Sequence, residues 1–388
     1  MVSINPLASG SWECARVFLP FDLDELAVQS GALRRRRGVK GGESLLRTML
    51  LYGCPKSTLA LSSRLARESN LAHLSPEALF KRLSKAEPML RSAFLHLLTH
   101  AAEPEVRFSG YRLLSVDATT LCGPGATGTD QRLHVVYDLG KGLPLSLDLT
   151  DARGGETLAR HDSFGFGDLV LGDRGYGKGP GLTVALRSGA RLLVRFEFEN
   201  LRLLTDLDDK IWPEQAELCV PDSGPCEICV YLPDWPAPLR AIGERNPKGE
   251  VVWLLTDLSP DELGLDQARS LYARRWQVEL FFKRLKSLLD LDELPSRDGP
   301  MARPWIWAKL ILAALAVLTT HERFSPWGQP FQAHSEPMER VPVWPSRVDR
   351  SPAHRHSAPA RPGPSQRSQT TKSRSQPTLL METIGSLS

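Results

Sequence analysis

Two acidic side chains each follow a run of apolar residues that has the pattern of a buried strand. Asp117 closes the apolar run in RLLSVDATTL, and Asp173 closes the one in DLVLGDRGYG. At a strand end a side chain can leave a buried sheet and reach a cleft, but two carboxylates there repel each other unless a cation lies between them. Two Mg²⁺ ions about 3.5 to 4 Å apart would supply this positive charge, since Mg²⁺ prefers oxygen ligands. The pair predicts a phosphoryl-transfer site, where one ion activates water or a 3′-hydroxyl and the other stabilises the departing oxygen.

A third acid, Glu279, lies in YARRWQVELFFKRLK, residues 272–286, within a segment at 268–290 that has the pattern of an amphipathic helix. At about 100° per residue, one narrow polar stripe contains Tyr272, Arg275, Glu279 and Lys286. The neighbouring apolar stripe predicts the face that packs on a core, and it contains Leu271, Val278, Phe282, Leu285, Leu288 and Leu289. Glu279 would then project into a cleft and complete a metal site. The same pattern also fits a surface helix with ordinary ion pairs.

Spacing alone does not separate a catalytic acid from a structural one. Aspartate at a strand end is also a common turn or cap residue. Equally placed acids occur at Asp138, Asp148 and Asp151.

Three motifs together resemble the DDE transposases of bacterial insertion sequences. They are VDATT with Asp117, LGDRGYG with Asp173, and the spacing Y-x₂-R-x₃-E-x₆-K formed by Tyr272, Arg275, Glu279 and Lys286. The last spacing resembles, more narrowly, the insertion-sequence-4 family. The resemblance extends over about residues 20–320, with the motifs in the same order and a long β-rich insertion before the glutamate.

The resemblance implies an α/β fold with a ribonuclease H-like catalytic core, in which Asp117 lies on the first strand, Asp173 on the fourth and Glu279 on a later helix. It implies an enzyme that carries out Mg²⁺-dependent DNA strand cleavage and strand transfer at the terminal inverted repeats of an insertion sequence. The three acids would be both catalytic residues and ligands of two Mg²⁺ ions, for which Mn²⁺ can substitute.

The resemblance also implies which residues contact DNA. Tyr272, Arg275 and Lys286 match residues that contact phosphates near the transposon end, and Arg and Lys are both suited to this role. Trp253 matches a position where some relatives carry a tryptophan that contacts a flipped end base, although a buried strand residue fits equally. The partners implied are double-stranded DNA, as transposon ends and target, and a second copy in a homodimeric synaptic complex.

The remaining sequence predicts the domain organisation. An N-terminal segment, 1–20, precedes a small helical DNA-binding domain at 21–104, whose basic residues include Arg34 to Arg37, Lys81, Arg82 and Lys85. A helix-turn-helix-like unit and a plain helical bundle both fit this region. The catalytic domain follows at 105–324, with the β-rich insertion at about 190–257.

Residues 325–388 form a tail rich in Pro, Ser, Arg and Gln, which predicts disorder. The shift in composition resembles out-of-frame translation. The alternative function is therefore a catalytically incompetent DNA-binding remnant of a transposase.

Net charge, targeting patterns, apolar runs and cysteine spacing bear on the class of protein. The net charge of +3 neither demands nor excludes a nucleic acid partner. The absence of a secretory pattern predicts an intracellular protein, and the resemblance implies a bacterial cytoplasmic, nucleoid-associated one. The apolar run at 305–318 contains Lys309 and is too short for a bilayer, so it predicts a buried helix and no membrane contact. The cysteines at 219, 226 and 229 have metal-like spacing without a fourth ligand, and CEICVYL fits a strand with structural thiols.

Overall fold

The structure, a computed structural model, describes residues 9–20, 22–100, 107–291 and 294–320. The predicted tail at 325–388 lies outside these residues. The strands are β1 (Arg107–Phe108), β2 (Tyr111–Leu121), β3 (Gln131–Asp138), β4 (Leu143–Asp151), β5 (Asp168–Gly172), β6 (Arg191–Phe196), β7 (Cys226–Val230), β8 (Leu239–Arg245) and β9 (Val251–Thr256). The helices are α1 (Ser9–Arg16), α2 (Leu23–Gln29), α3 (Gly42–Gly53), α4 (Leu59–Glu68), α5 (Pro76–Leu83), α6 (Glu87–His100), α7 (Gly179–Arg187), α8 (Pro213–Glu217), α9 (Leu265–Ala273), α10 (Trp276–Leu289) and α11 (Gly299–Thr320).

The described strands form one mixed sheet in the order β4-β3-β2-β5-β6-β9-β8-β7, with β1 paired to β2. The first three long strands, β2, β3 and β4, are antiparallel, whereas β2, β5 and β6 are parallel neighbours. The turn between β3 and β4 contains Gly142, whose φ of +67° favours glycine. The predicted α/β class is confirmed. Asp117 lies on β2 and Asp173 directly follows β5, and these are the first and fourth strands when the two-residue β1 is left out.

The β-rich region extends the same sheet. Its first strand, β6, is a parallel partner of β5, and β9, β8 and β7 follow as antiparallel strands. These strands are held to the core by a cluster of buried aromatic rings, in which Trp253 lies 5.1 Å from Phe198 and 6.3 Å from Phe196, measured between centroids. The region therefore adds strands and apolar burial to the core sheet.

The N-terminal helices pack around α11. The rings of Phe94 in α6 and Trp307 in α11 lie 5.7 Å apart. A Cβ on Gly53 at the end of α3 would lie only 2.9 Å from the Cβ of Ala308, so the two helices approach closely where glycine removes a side chain. The predicted buried helix at 305–318 is confirmed as part of α11, with Lys309 only 3% exposed. Helices before and after the sheet thus share one apolar core.

The prediction of one helix over 268–290 is wrong. The structure has α9 and α10, separated by a turn at Arg274 and Arg275. Backbone hydrogen bonds across this turn run from each residue to the one three positions earlier, as in Arg275 N to Tyr272 O at 3.0 Å and Val278 N to Arg275 O at 3.1 Å. Tighter winding changes the angle between residues, so the polar stripe does not continue into α9. Tyr272 consequently turns into the core, where it is 5% exposed.

Other helix and strand predictions hold for the residues described. The apolar stripe is buried at Leu271, Val278, Phe282 and Leu285. The CEICV segment forms β7, and no group of three potential metal ligands that includes its cysteines occurs in the described part of the chain. None of the helices described is long and apolar enough to cross a membrane.

Two histidines are buried side by side beneath the sheet. His134 on β3 bonds through Nε2 to Oγ1 of Thr150 at 2.9 Å, and its ring centroid lies 6.5 Å from that of His161. Burial, followed by the charge of Arg160, lowers the pKa of His134 to about 3 and that of His161 to about 4. Both imidazoles are therefore neutral in the folded protein at physiological pH.

We predict that acid destabilises the protein through these two imidazoles. The unfolded chain, with histidine pKa values near 6.5, binds more protons than the folded chain between about pH 6.5 and 4. Stability is therefore fully present above about pH 6.5 and is lost as pH falls towards 4, by up to about 1.4 kcal/mol per pH unit for each histidine. Urea unfolding across this range should show a shallower pH dependence for His161→Gln. The exposed His73, changed to Gln, should leave the slope unaltered, and an equal slope in both variants would contradict the assignment.

Candidate active site

The pairing of β2 with β5 brings two acids together. Val116 is opposite Gly172 in the parallel ladder, so the next residues, Asp117 and Asp173, leave the two strands at the same level. Contrary to expectation, Asp117 does not end its strand, because β2 continues to Leu121 as a partner of β3 alone. The gap beside β2, where β5 ends, opens the site.

Asp173 lies in a tight turn that begins where β5 stops. It caps the 3₁₀ turn Arg174–Tyr176, and its Oδ1 accepts a hydrogen bond from Gly175 N at 2.9 Å. Asp117 has a more rigid setting, because its backbone pairs with Val135 and its Oδ1 accepts from Ala118 N at 2.8 Å. One acid is therefore fixed in the sheet, and the other is held by a capped turn.

Arg275 links Asp117 to Glu279. Its Nη1 lies 3.5 Å from Oδ2 of Asp117, and its Nη2 lies 2.5 Å from Oε1 of Glu279. The Arg275 side chain is only 13% exposed, and its guanidinium also lies 5.7 Å from the centre of the Tyr272 ring. Burial alone would lower the pKa of Arg275, but Tyr272 and the two acids raise it above its ordinary value, so its charge is permanent.

The pKa of Asp117 reflects the concentration of acids at this site. Burial is the largest cause of a pKa raised to about 7. The charges of Asp173 and Glu279 also raise it, and Arg275 opposes the shift. The three acids that the sequence singled out are therefore close enough to influence one another. A cation in addition to Arg275 would relieve their repulsion.

The remaining predicted site residues lie at different distances from this centre. Lys286 extends from α10 to β2, where its Nζ donates to the carbonyl oxygen of Thr120 at 3.2 Å. Tyr272 is buried behind Arg275, and burial raises its pKa to about 12. The structure does not bring Trp253 to the acids, because its ring is packed in the aromatic cluster of the extended sheet and is 5% exposed.

Three further acids, which sequence spacing could not exclude as catalytic residues, have structural partners. Asp138 accepts from Lys141 N at 3.0 Å in the β3–β4 turn, and Asp151 accepts from Arg153 N at 2.9 Å. Asp148 lies 3.8 Å from Arg160. Turn capping and an ion pair account for these acids.

Sequence reasoning missed Glu156, which precedes the 3₁₀ turn Leu158–Arg160. Its side chain lies next to Asp173, and burial, followed by the charge of Asp173, raises its pKa. Neither a strand end nor a helical repeat marks this position, so only the three-dimensional contact identifies it.

Carboxylates are the ligand type that Mg²⁺ and Mn²⁺ prefer, so the chemistry of Asp117, Asp173 and Glu279 fits such an ion. In the ranges that the structure describes, no three His, Cys, Asp or Glu side chains are grouped closely enough to hold one ion. The ion pairs explain this spacing, since the guanidinium of Arg275 occupies the position between Asp117 and Glu279.

Comparison with known proteins identifies the class. The family described as the transposase DDE domain matches residues 108–315, and the chain belongs to this family. InsL of Escherichia coli K12, assigned as a transposase of the insertion sequence element IS186A, is 33% identical over 337 residues, which covers 78% of this chain and 91% of InsL. The transposase of the insertion sequence element IS421 from Escherichia coli is 33% identical over 338 residues, with the same coverage.

Among solved structures, a piggyBac transposase synaptic complex with hairpin DNA is similar, with a TM-score of 0.45 and 10% identity. The match covers 83% of this chain and 77% of that one.

We predict that Arg275→Ala destabilises the protein by about 3 kcal/mol, because removing one partner of a buried ion pair leaves charges without compensation. Urea unfolding at neutral pH in the absence of divalent ions would measure the loss. The matched control is Arg269→Ala on α9, whose guanidinium pairs with Glu244 and is 46% exposed. That change should cost less than about 1 kcal/mol. Equal losses for the two variants would show that Arg275 does not balance the acids.

Proposed function

We propose that the chain is an insertion-sequence transposase that cleaves DNA strands at terminal inverted repeats and joins the freed ends to target DNA. The spacing of Tyr272, Arg275, Glu279 and Lys286 supports membership of the insertion-sequence-4 family. The observation that carries the proposal is the electrostatic coupling of Asp117 with Asp173 and Glu279 around Arg275. A single guanidinium pairs with two of the three acids here, whereas a purely structural set of acids would have a cationic partner for each.

Asp117, Asp173 and Glu279 are proposed to hold two Mg²⁺ ions, or Mn²⁺ in their place. When bound, such ions activate a hydroxyl nucleophile and stabilise the leaving oxygen of a phosphodiester. Before DNA and metal arrive, Arg275 neutralises part of the charge on Asp117 and Glu279. Once the carboxylates have other partners, its donors are available to a DNA phosphate, which a guanidinium can hold with two parallel hydrogen bonds.

Two basic surfaces are proposed to bind DNA. Lys286, anchored at Thr120, places an ammonium beside the strand that carries Asp117. In the N-terminal helices, Nη2 of Arg82 on α5 donates to the carbonyl oxygens of Arg35 and Arg37, both at 2.9 Å. These bonds join the arginine-rich loop to α5, and the basic residues of the two segments are proposed to bind the phosphate backbone of an inverted repeat together.

Two further features remain predictions. Contact of Trp253 with an end base would require its ring to leave the aromatic cluster in which it is packed. A homodimer would bring two transposon ends together.

The first test uses cleavage and binding in parallel. Glu279→Gln should abolish Mg²⁺-dependent nicking of an oligonucleotide that carries the element's end, because the amide loses the charge that holds the ion. Binding of the same oligonucleotide should persist, since glutamine keeps the helix and can still accept from Arg275. Asp148→Asn on β4 is the matched control and should cleave normally. Unchanged cleavage by Glu279→Gln would refute the catalytic assignment, and wild-type binding without cleavage would indicate a DNA-binding remnant.

The second test measures the salt dependence of binding. Lys286→Ala should weaken binding of the end oligonucleotide and reduce the slope of log affinity against log salt concentration by about one, as expected for one lost phosphate contact. Lys248→Ala, in the turn before β9, is the control and should leave the slope unchanged. If both variants retained the wild-type slope, Lys286 would not contact phosphate.

A further inference from the structure

Glu156 shares a confined space with Asp173. A Cβ added to Gly175 would overlap Oε2 of Glu156 and lie 3.1 Å from Oδ1 of Asp173. Both carboxylates therefore converge on the backbone of Gly175, where only glycine leaves room for them. The loop carrying Glu156 comes from the end of β4, so a long-range contact rather than chain adjacency creates this arrangement.

The carboxylate of Glu156 is partly buried without a salt bridge to any side chain in the described ranges. The nearest cations influence it only weakly: Nζ of Lys178 donates at 3.4 Å to the backbone oxygen of Glu156, and Arg132 donates to Gly154 O at 2.7 Å. A second acid placed beside Asp173 without a salt bridge is costly unless it has a ligand to bind.

Tyr176 provides an independent observation that points to a ligand. Its side chain is fully buried, and its hydroxyl has no hydrogen-bond partner among the described residues. Tyr176 ends the 3₁₀ turn that Asp173 caps, and the charges of Asp117, Glu156 and Asp173 all act on its hydroxyl, so this buried group lies close to the acids. A buried hydroxyl without a partner is unfavourable, and ligand or water molecules ordered by the acids would satisfy it.

We propose that Glu156 is a fourth carboxylate ligand of the active site and binds a divalent cation together with Asp173. This inference rests on the proposed function, because it assumes that Asp173 holds an ion. It assigns to Gly175 the role of admitting both carboxylates and to Tyr176 the role of closing the floor beneath them. Glu156 would limit the freedom of an ion that Asp173 would otherwise hold with fewer donors.

The test measures binding of Mn²⁺ alone to the full-length protein. Calorimetry gives the affinity, and the electron paramagnetic resonance signal of free Mn²⁺ checks it. Glu156→Gln should weaken Mn²⁺ binding about tenfold or more. Glu156→Asp, which keeps the charge but shortens the side chain, should weaken it comparably, because a donor must reach the ion. Glu244→Gln on β8, a carboxylate that pairs with Arg269, is the matched control and should leave Mn²⁺ affinity unchanged.

Folding is checked by thermal unfolding without metal. Glu156→Gln removes a charge that burial disfavours, so it should melt no lower than the wild type, and only the rise in melting temperature on adding Mn²⁺ should shrink. Full affinity in Glu156→Asp with reduced affinity in Glu156→Gln would mean an electrostatic effect and overturn the ligand assignment. If Asp173→Asn weakens Mn²⁺ binding and Glu156→Gln does not, the inference fails while the proposed function stands. If neither variant weakens it, the proposed function fails as well.

Discussion

Repulsion among carboxylates at the end of the β2–β5 ladder is the constraint on which the rest of the site depends. Bringing Asp117 and Asp173 to one level places like charges in a partly buried region, which is unfavourable without a cation. Arg275 meets this requirement within the chain by pairing with Asp117 and Glu279. Its position explains the turn between α9 and α10, because the guanidinium reaches both acids from a turn in which Tyr272 packs behind it.

The sheet holds the backbone of the two aspartates to different extents. Asp117 is held by β3 through backbone pairing on one side and by β5 up to Val116 on the other. Asp173 lies one residue beyond β5 in a turn stabilised by its own side chain. A cation between them would therefore meet one donor held by strands on both sides and one donor held by its turn.

The sequence predicts the parts of this arrangement that depend on local patterns, and it does not predict the parts that depend on contacts between residues far apart in the chain. Alternation and apolar runs identify the strands that carry Asp117 and Asp173, because these depend on local patterns, and the motif spacing directs attention to Glu279. Two features escape such patterns: the burial of Tyr272 and the approach of Glu156. The first accompanies tighter winding at Arg275, whose guanidinium pairs with Asp117 on β2. The second depends on a loop meeting a glycine turn. A single helical period cannot predict either feature, because each involves a contact with a residue that is distant in sequence.

The position of α11 links the basic surface of the N-terminal helices to the acids. α11 packs against α3, α5 and α6, so it shares a core with the helix that carries Arg82. Near its start, Nε of Arg303 donates to Oε1 of Gln131 at 3.1 Å, and just before it Nε of Arg297 donates to Oδ1 of Asp130 at 3.0 Å. These contacts fix α11 at the beginning of β3, the strand that pairs with Asp117. Packed helices and a β ladder would therefore hold DNA bound at the proposed basic surface in a fixed position relative to the acids. Because fixed geometry places a phosphodiester near its reacting groups at the lowest entropic cost, this continuity is what a strand-cleaving enzyme requires of its scaffold.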